Sequence, residues 1–284
     1  MARWRKLGII AGAGALPLKI AQSAATPEGG PYVIRLSGIA DLDFAGFSGA
    51  ECGIAEVGRI IRSLKDAHCD AVTLAGVVRR PDFANLKPDW RGAALLPRVI
   101  AAAAKGDGAL LSVIVETLEA EGLLVIGAEE VFGDLVAPEG AMTALSPTAE
   151  NWTDIKKAAA IIAALGPFDI GQAAVVASGH TLGVEAAEGT DALLERCAAL
   201  PASARGGERR NGVLVKRPKP GQELRVDLPT IGVETVRRVD AAGLAGIAVE
   251  AGFALMIDRE ALIREADARG IFVYGFSAEE AASR

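Results

Sequence analysis

The sequence predicts an α/β fold of two domains, a Rossmann-like N-terminal domain with a parallel sheet and helices and a mixed α/β C-terminal domain. The chain has 284 residues, 51% of them hydrophobic, and most domains contain about 100 to 150 residues. In the first half, short aliphatic runs alternate with amphipathic segments, which is typical of βαβ units. The second half has more hydrophobic alternation and fewer crossover helices, which indicates mixed strand pairing.

The elements of the first half follow from aliphatic runs and helical spacing. Strands are predicted at residues 7–11, 32–36, 71–75 and 123–126, and helices at 51–67 and 109–121. The stretch 133–150 loses this periodicity and contains Pro138, Gly140 and Pro147. We therefore predict a linker there, between domains at residues 1–132 and 151–284.

The elements of the second half alternate less regularly. Strands are predicted at residues 173–177, 181–187, 212–216, 246–250, 254–257 and 271–274, and helices near 152–165, 191–200 and 234–242. Ser178, Gly179 and His180 separate the first two of these strands and predict a hairpin turn. The expected result is a sheet of mixed pairing.

The composition limits the partners and metals that the chain can bind. Acidic residues number 36 against 30 basic ones, a formal charge of −6, which opposes nonspecific binding to nucleic acid. The three cysteines lack the spacing of a disulfide framework or a zinc site, so a cytoplasmic location is expected. Because there are only two histidines, a metal would depend on carboxylate oxygens, as Mg²⁺ does. The longest apolar stretch is shorter than the roughly 20 residues of a membrane span, so no transmembrane anchor is expected.

A glycine turn follows the first predicted strand. Gly12 and Gly14 would let backbone N–H groups approach a phosphate ahead of a helix. The third glycine of a dinucleotide fingerprint is replaced by Pro17, and the second strand ends without an acidic residue for a ribose. An NAD site is therefore disfavoured, while a phosphate contact and a simple turn both remain open.

Two arginines follow the third predicted strand. Arg79 and Arg80 should lie at the carboxyl edge of the parallel sheet, where open α/β folds bind ligands. A guanidinium group matches the geometry of a phosphate. The alternative is that both side chains are simply solvated.

Two glutamates precede a predicted helix in the second half. Glu185 and Glu188 could hold a metal while the N–H groups near Gly189 and Thr190 bind phosphate. Alternatively, Thr190 or Asp191 is an ordinary helix N-cap, and the charges only compensate the helix dipole.

The richest group of charges lies between residues 212 and 232. Lys216 and Lys219 belong to a run of three cations within four residues, which suits a pyrophosphate. Asp227 follows, and Pro229 restricts Leu228 to extended backbone, so the carboxylate has little freedom. A metal ligand or a general base needs such preorganisation. The alternative is a surface hairpin with solvated charges.

Together, six stretches resemble the metal-dependent UDP-2,3-diacylglucosamine pyrophosphatases of lipid A biosynthesis, the LpxI family. They are GIIAGAGALP at 8–17, GVVRRPDFANLKPD at 76–89, KGDGALLSVIVETLEAEG at 105–122, SGHTLGVEAAEGTDALL at 178–194, GVLVKRPKPGQELRVDLPTIG at 212–232 and AGLAGIAVEAG at 242–252. One departure is Lys105, where the family pattern leads us to expect arginine.

The resemblance implies hydrolysis of UDP-2,3-diacylglucosamine to lipid X and UMP, assisted by Mg²⁺, with water attacking the phosphorus that carries the sugar. It also implies a homodimer, and it gives Asp227 an essential acidic role. A lipid-linked nucleotide as substrate would bring a cytoplasmic enzyme into transient contact with the inner membrane surface.

Adding this to the residue patterns, we expect Asp227 to bind the metal or act as base, with Lys216 as the second catalytic residue. Glu185 and Glu188 are the other candidate metal ligands. The candidate substrate contacts are Gly12, Gly14, Arg79, Arg80, Gly189, Thr190, Lys219 and Thr230. The alternatives are a nonenzymatic UDP-sugar-sensing module and an enzyme that depends on a nucleotide cofactor.

Overall fold

The computed structural model describes residues 4–27, 29–205, 207 and 210–283. It divides into two compact units. The first unit comprises residues 1–133 and the short segment Glu223–Asp227, and the second comprises Asp134–Gln222 and residues 228–284. Residues 134–150, expected to be a linker, thus belong to the second unit.

The first unit is built on a five-stranded parallel sheet with helices. Its strands are β1 (Leu7–Ala11), β2 (Tyr32–Leu36), β3 (Gly49–Cys52), β4 (Ala71–Ala75) and β5 (Leu124–Val125). Its helices are α1 (Leu16–Ser23), α2 (Val57–Asp66), α3 (Trp90–Ala103), α4 (Asp107–Ala120) and α5 (Ala128–Val131). The strand order β3-β2-β1-β4-β5 is that of a doubly wound sheet, so the strand order reverses between β1 and β4 although these strands are parallel.

Three predicted strands of this unit have the predicted bounds, because runs of aliphatic residues buried on both faces are a strong local signal. The helix predicted to begin at residue 51 begins at Val57 instead. Residues 49–52 form β3, whose Glu51 and Cys52 pair with Arg35 and Leu36 of β2. The predicted start of this helix was wrong, because residues 49–52 pair with β2 although their own sequence carries no strand pattern.

The second unit contains a six-stranded mixed sheet and a separate two-stranded sheet. Its strands are β6 (Gly140–Ala141), β7 (Ala173–Ala177), β8 (His180–Val184), β9 (Val213–Lys216), β10 (Thr230–Ile231), β11 (Gly246–Glu250), β12 (Leu255–Met256) and β13 (Phe272–Phe276). Its helices are α6 (Ala149–Leu165), α7 (Gly189–Ala198), α8 (Val233–Ala241), α9 (Arg259–Arg269) and α10 (Ala278–Ser283).

The large sheet has the order β6-β13-β11-β9-β7-β8. Strands β9, β11 and β13 are parallel, and β7 runs antiparallel to both β8 and β9. The carboxyl ends of β8, β9, β11 and β13 therefore meet at one edge, together with the beginning of β7. This edge collects most of the predicted site residues of the second half.

Alternate residues of the strands fill two cores on opposite faces of this sheet. On one face, Ile155 and Ile162 of α6 pack with Val176 and Val213. On the other, helices α7, α8 and α9 cover a second cluster. Helix α6 begins at Ala149, earlier than predicted, because Thr148 and Asn151 form a capping box.

No helix among the described residues is both long and apolar enough to span a bilayer. The longest is α6, with 17 residues. Its apolar side chains belong to one of the two cores of the second unit.

Candidate functional site

Lys216 lies at the carboxyl end of β9, between Ala173 of β7 and Val249 of β11. Its side chain is buried, and Nζ donates a hydrogen bond to the carbonyl oxygen of Thr230 at 3.0 Å. Because a buried ammonium group is costly unless it donates, this bond orients the side chain. Lys216 thereby holds the backbone three residues after Asp227.

The two other cations of the run are paired with carboxylates at the same edge. Arg217 Nε lies 2.9 Å from Glu250 Oε2, and Lys219 Nζ lies 2.5 Å from Asp169 Oδ1. The Arg217 amide donates to the carbonyl oxygen of Gln172, which continues the pairing of β9 with β7. We call Asp169, Glu185, Lys216, Arg217, Lys219 and Glu250 the edge cluster. Its three cations face three carboxylates, so these residues together carry no excess positive charge for an anion.

Glu185 directly follows β8 and is buried, with 8% of the residue exposed. Its amide donates to the carbonyl oxygen of Ala173. Its Oε2 atom is buried without a hydrogen-bond partner among the described residues. A buried oxygen of this kind is expensive to leave bare, and its chemistry suits a cation or a hydrogen-bond donor.

Glu188, the neighbouring candidate, has partners. Its carboxylate accepts a hydrogen bond from Arg196 Nη2 at 2.9 Å. A hydrogen bond from its own amide, together with Arg196, lowers the pKa of Glu188 below its usual range. The described residues contain no group of three or more acidic, histidine or cysteine side chains placed to hold a metal.

Helix α7 begins at Gly189, with Glu188 at the N-cap position and no side-chain cap. Thr190 and Asp191 therefore lie in the first turn, and the expectation that one of them is the N-cap was wrong. Gly189 has a positive φ of 79°, a conformation that glycine adopts at little cost, and it follows the turn that contains Glu188. Asp191 instead pairs with Arg238 of α8 at 3.4 Å.

The segment Glu223–Asp227 belongs to the first unit, although the chain before and after it belongs to the second. Val226 contacts the core of the first unit, and Arg225 donates to Glu119 at 2.5 Å and to Glu223 at 2.8 Å. The bonds to Glu223 and then Glu119 raise the pKa of Arg225, so its guanidinium group stays charged. Asp227 follows directly and is half-buried.

The backbone beyond Asp227 is also held. Pro229 is buried, and its carbonyl oxygen accepts a hydrogen bond from Leu255 at 2.7 Å. The Thr230 hydroxyl donates to the carbonyl oxygen of Leu228 at 3.2 Å, while the Thr230 carbonyl binds Lys216. Asp227 thus sits on a short segment with fixed backbone on both sides, as a metal ligand or base requires.

In the first unit, the glycine turn meets the loop after β4, at the point where the strand order reverses. Gly12 donates to Ala75, Ala13 and Val77 exchange two hydrogen bonds, and Gly14 donates to Asp41 Oδ1 at 2.8 Å. A Cβ atom on Gly12 would lie 2.8 Å from the Val77 carbonyl oxygen. These contacts support the simple-turn alternative, because the three amides already donate within the protein.

The two arginines after β4 are both exposed, but they differ in their contacts. Arg80 donates to the carbonyl oxygen of Ala103 at 2.6 Å and lies 4.0 Å from Asp107. Arg79 has no hydrogen bond or ion pair with any other described residue. Of the two, Arg79 can turn towards an anion without losing a protein contact.

Sequence reasoning missed Asp169 and Glu250 as partners of the cationic run. Glu250 ends a strand that was predicted correctly, so the rule that singled out Arg79 at a carboxyl edge could have found it. Asp169 had no such signal. It follows a short 3₁₀ turn at Gly166–Phe168 and adopts a left-handed conformation that ends that turn.

The fold and these sites define a two-unit α/β protein with charged residues beyond the carboxyl ends of its strands, a place where such folds bind phosphorylated ligands. Models for the LpxI N-terminal domain and the LpxI C-terminal domain match residues 6–135 and 138–274. The UDP-2,3-diacylglucosamine pyrophosphatase LpxI of Caulobacter vibrioides is 50% identical over 277 residues, covering 97% of this chain and 99% of the relative. The chain belongs to the LpxI family, and the resemblance predicted from six motifs is confirmed.

Proposed function

We propose that this chain hydrolyses the pyrophosphate of UDP-2,3-diacylglucosamine to lipid X and UMP, with water attacking the phosphorus that carries the sugar. The substrate named for the Caulobacter vibrioides relative, half identical over nearly the whole chain, supports the reaction. The structural observation that carries the proposal is the edge cluster, which combines the buried Lys216 with a carboxylate oxygen of Glu185 that lacks a partner among the described residues.

Mg²⁺ fits the residues of this edge. Proteins bind Mg²⁺ through one or two carboxylates, with water and substrate phosphates completing the octahedron, so a cage of three protein ligands is not required. At this edge we propose Glu185 as a ligand, with Glu188 a weaker candidate because Arg196 already occupies its carboxylate. For Asp227, the acidic role that the resemblance implies is a separate proposal, either as a metal ligand or as a base. When bound, Mg²⁺ would neutralise phosphate charge and lower the pKa of a coordinated water.

Charge stabilisation and proton transfer would be carried out by side chains of the protein. Lys216 and Lys219 would stabilise charge on the pyrophosphate, and Lys219 would exchange Asp169 for a phosphate oxygen. Asp227 would accept the proton of the attacking water if it does not bind the metal. Thr190, Gly189 and Thr230 would line the substrate at the same edge of the second unit.

At the first-unit edge we propose contacts with the nucleotide. Arg79 is the best candidate for a phosphate contact there, and Arg80 is the second. Gly12 and Gly14 would contribute by forming a close turn. Their amides would contribute less, because they already donate hydrogen bonds within the protein. By the same resemblance, we propose a cytoplasmic homodimer that touches the inner membrane surface transiently to reach its lipid substrate.

The two alternative functions make different predictions. A UDP-sugar sensor would bind UDP without turnover. An enzyme that depends on a nucleotide cofactor would purify with a chromophore, but the glycine turn lacks the third glycine and its first amides donate within the protein.

The test is a turnover assay in heavy-oxygen water, with and without a chelator, on the native chain, Asp227→Ala and the exposed control Glu260→Gln. We expect label in lipid X, dependence on Mg²⁺, and a loss of about 10²- to 10⁴-fold in Asp227→Ala only. Label in UMP would contradict the site of attack, and unchanged turnover in Asp227→Ala would remove Asp227 from the mechanism.

A further inference from the structure

One carboxylate at the carboxyl edge of the first-unit sheet has no place in the function proposed so far. Glu129 lies in α5, four residues after β5. Its Oε2 atom is buried and has no hydrogen-bond partner among the described residues. Helix α5 packs against β4 and α1, so Glu129 belongs to the same part of the unit as the glycine turn.

The glycine two residues earlier makes room for this carboxylate. Gly127 has φ −74° and ψ 158°, an ordinary extended conformation that any residue adopts. A Cβ atom on Gly127 would nevertheless lie 2.0 Å from Glu129 Oε1 and 2.2 Å from Oε2. A side chain at position 127 would therefore displace the Glu129 carboxylate from its observed place, although the backbone would accept it.

Burial raises the pKa of Glu129, against the opposing effect of a hydrogen bond from its own amide. Leaving a buried carboxylate oxygen without a donor is costly, and buried polar atoms in native proteins are nearly always satisfied. A second such atom, the hydroxyl of Thr73 in the adjacent strand β4, is also buried without a partner among the described residues. Because side chains alternate along a strand and Val72 faces the α2 and α4 side, Thr73 faces the opposite side.

The charge of Glu129 decides which part of a ligand it accepts. A carboxylate repels phosphate, so within a nucleotide it can accept a hydrogen bond only from the N–H or O–H groups of the nucleoside. Arg79, in the loop after the neighbouring strand β4, offers the complementary contact for phosphate. Resting on the proposed function, we infer that Glu129 accepts a hydrogen bond from the nucleoside of the substrate, either the uracil imide N–H or a ribose hydroxyl.

The test is calorimetric titration of UMP into the native chain, Glu129→Gln, Glu129→Ala and the adjacent control Glu130→Gln. Loss of a hydrogen bond to a charged group corresponds to about 10- to 100-fold weaker binding. We expect that loss in Glu129→Ala, a smaller loss in Glu129→Gln and none in Glu130→Gln. Binding of inorganic pyrophosphate should not weaken in any of them. Thermal melting of each variant shows whether weaker binding reflects a folding defect. The nearly isosteric Glu129→Gln is the variant least expected to unfold.

Two analogues of UMP identify the donor. If the donor is the uracil imide, the native chain binds 3-methyl-UMP more weakly than UMP, and Glu129→Ala binds the two equally. If the donor is a ribose hydroxyl, the same pattern is expected with 2′,3′-dideoxy-UMP in place of 3-methyl-UMP. UMP affinity that is equal in the native chain and both Glu129 variants would overturn the inference while leaving the hydrolase proposal intact. A native chain that neither binds UMP nor releases it from substrate would overturn both.

Discussion

The carboxyl edges of the two sheets carry their cations in different ways. At the first-unit edge, Arg79 and Arg80 are exposed, and their contacts with described residues are few. At the second-unit edge, Lys216 is buried and Lys219 lies 2.5 Å from a carboxylate. Exposed cations attract an anion and rearrange at little cost, whereas buried and bonded ones are oriented before the ligand arrives. The comparison teaches that the first edge suits recognition and the second suits chemistry.

The largest effect that would test this division is expected at Lys216. We expect Lys216→Met to lower kcat by about 10²- to 10³-fold, because a preoriented charge at the reacting phosphate is lost. The control Lys157→Met removes a cation whose bond to the Gly179 carbonyl belongs to the β7–β8 turn. UMP release gives kcat, and denaturant unfolding separates catalysis from folding. A kcat within twofold of the native value would contradict the role given to the second edge.

Metal dependence should distinguish the two glutamates near β8. We expect Glu185→Gln to raise the Mg²⁺ concentration for half-maximal turnover at least about tenfold, as loss of support for a metal site does. Glu188→Gln should leave it nearly unchanged, because that carboxylate binds Arg196. The measurement is a Mg²⁺ titration of turnover. A larger increase in this Mg²⁺ concentration for Glu188→Gln than for Glu185→Gln would show that Glu188, and not Glu185, supports the metal.

At the first edge, the expected effect is on affinity. We expect Arg79→Ala to raise KM about tenfold with kcat unchanged, since one charge-assisted contact to phosphate is removed. Arg80→Ala should do less, because that side chain already donates to Ala103. The difference should shrink at high salt. A fall in kcat in Arg79→Ala would show that the first edge also takes part in the chemical step.

The smallest effect concerns pH and the segment that carries Asp227. The hydrogen bond from Arg225 lowers the pKa of Glu223. A lowered carboxyl pKa stabilises the fold above the pKa of the unfolded chain, and that contribution is lost as pH falls through the lower, folded value. We expect Glu223→Gln to weaken the acid dependence of unfolding, measured by thermal melting from neutral to acidic pH. An unchanged pH profile would show that this pair does not anchor the segment.

Local signals explain which parts of the fold were predictable. Strands 173–177 and 246–250 are runs of small and aliphatic residues and were predicted with the observed bounds. Strand β3 has the sequence GAEC, which carries no such pattern, and it exists because β2 offers it a partner. The same difference applies to the sites. Lys216 was visible in a cationic run, but its bond to Thr230 joins residues that only the fold brings together.

The sequence by itself determined the α/β class, most strands and the family, because hydrophobic periodicity and short motifs are properties of neighbouring residues. Only the tertiary structure decided that Lys219 faces Asp169, that Glu185 and Glu129 each keep a buried oxygen without a described partner, and that Glu223–Asp227 belongs to the first unit. Such pairings depend on strand order and direction, which bring distant residues to one edge. The free energy of burying or pairing a charge depends on the residues that surround it in the folded structure, and not on the residues next to it in the sequence.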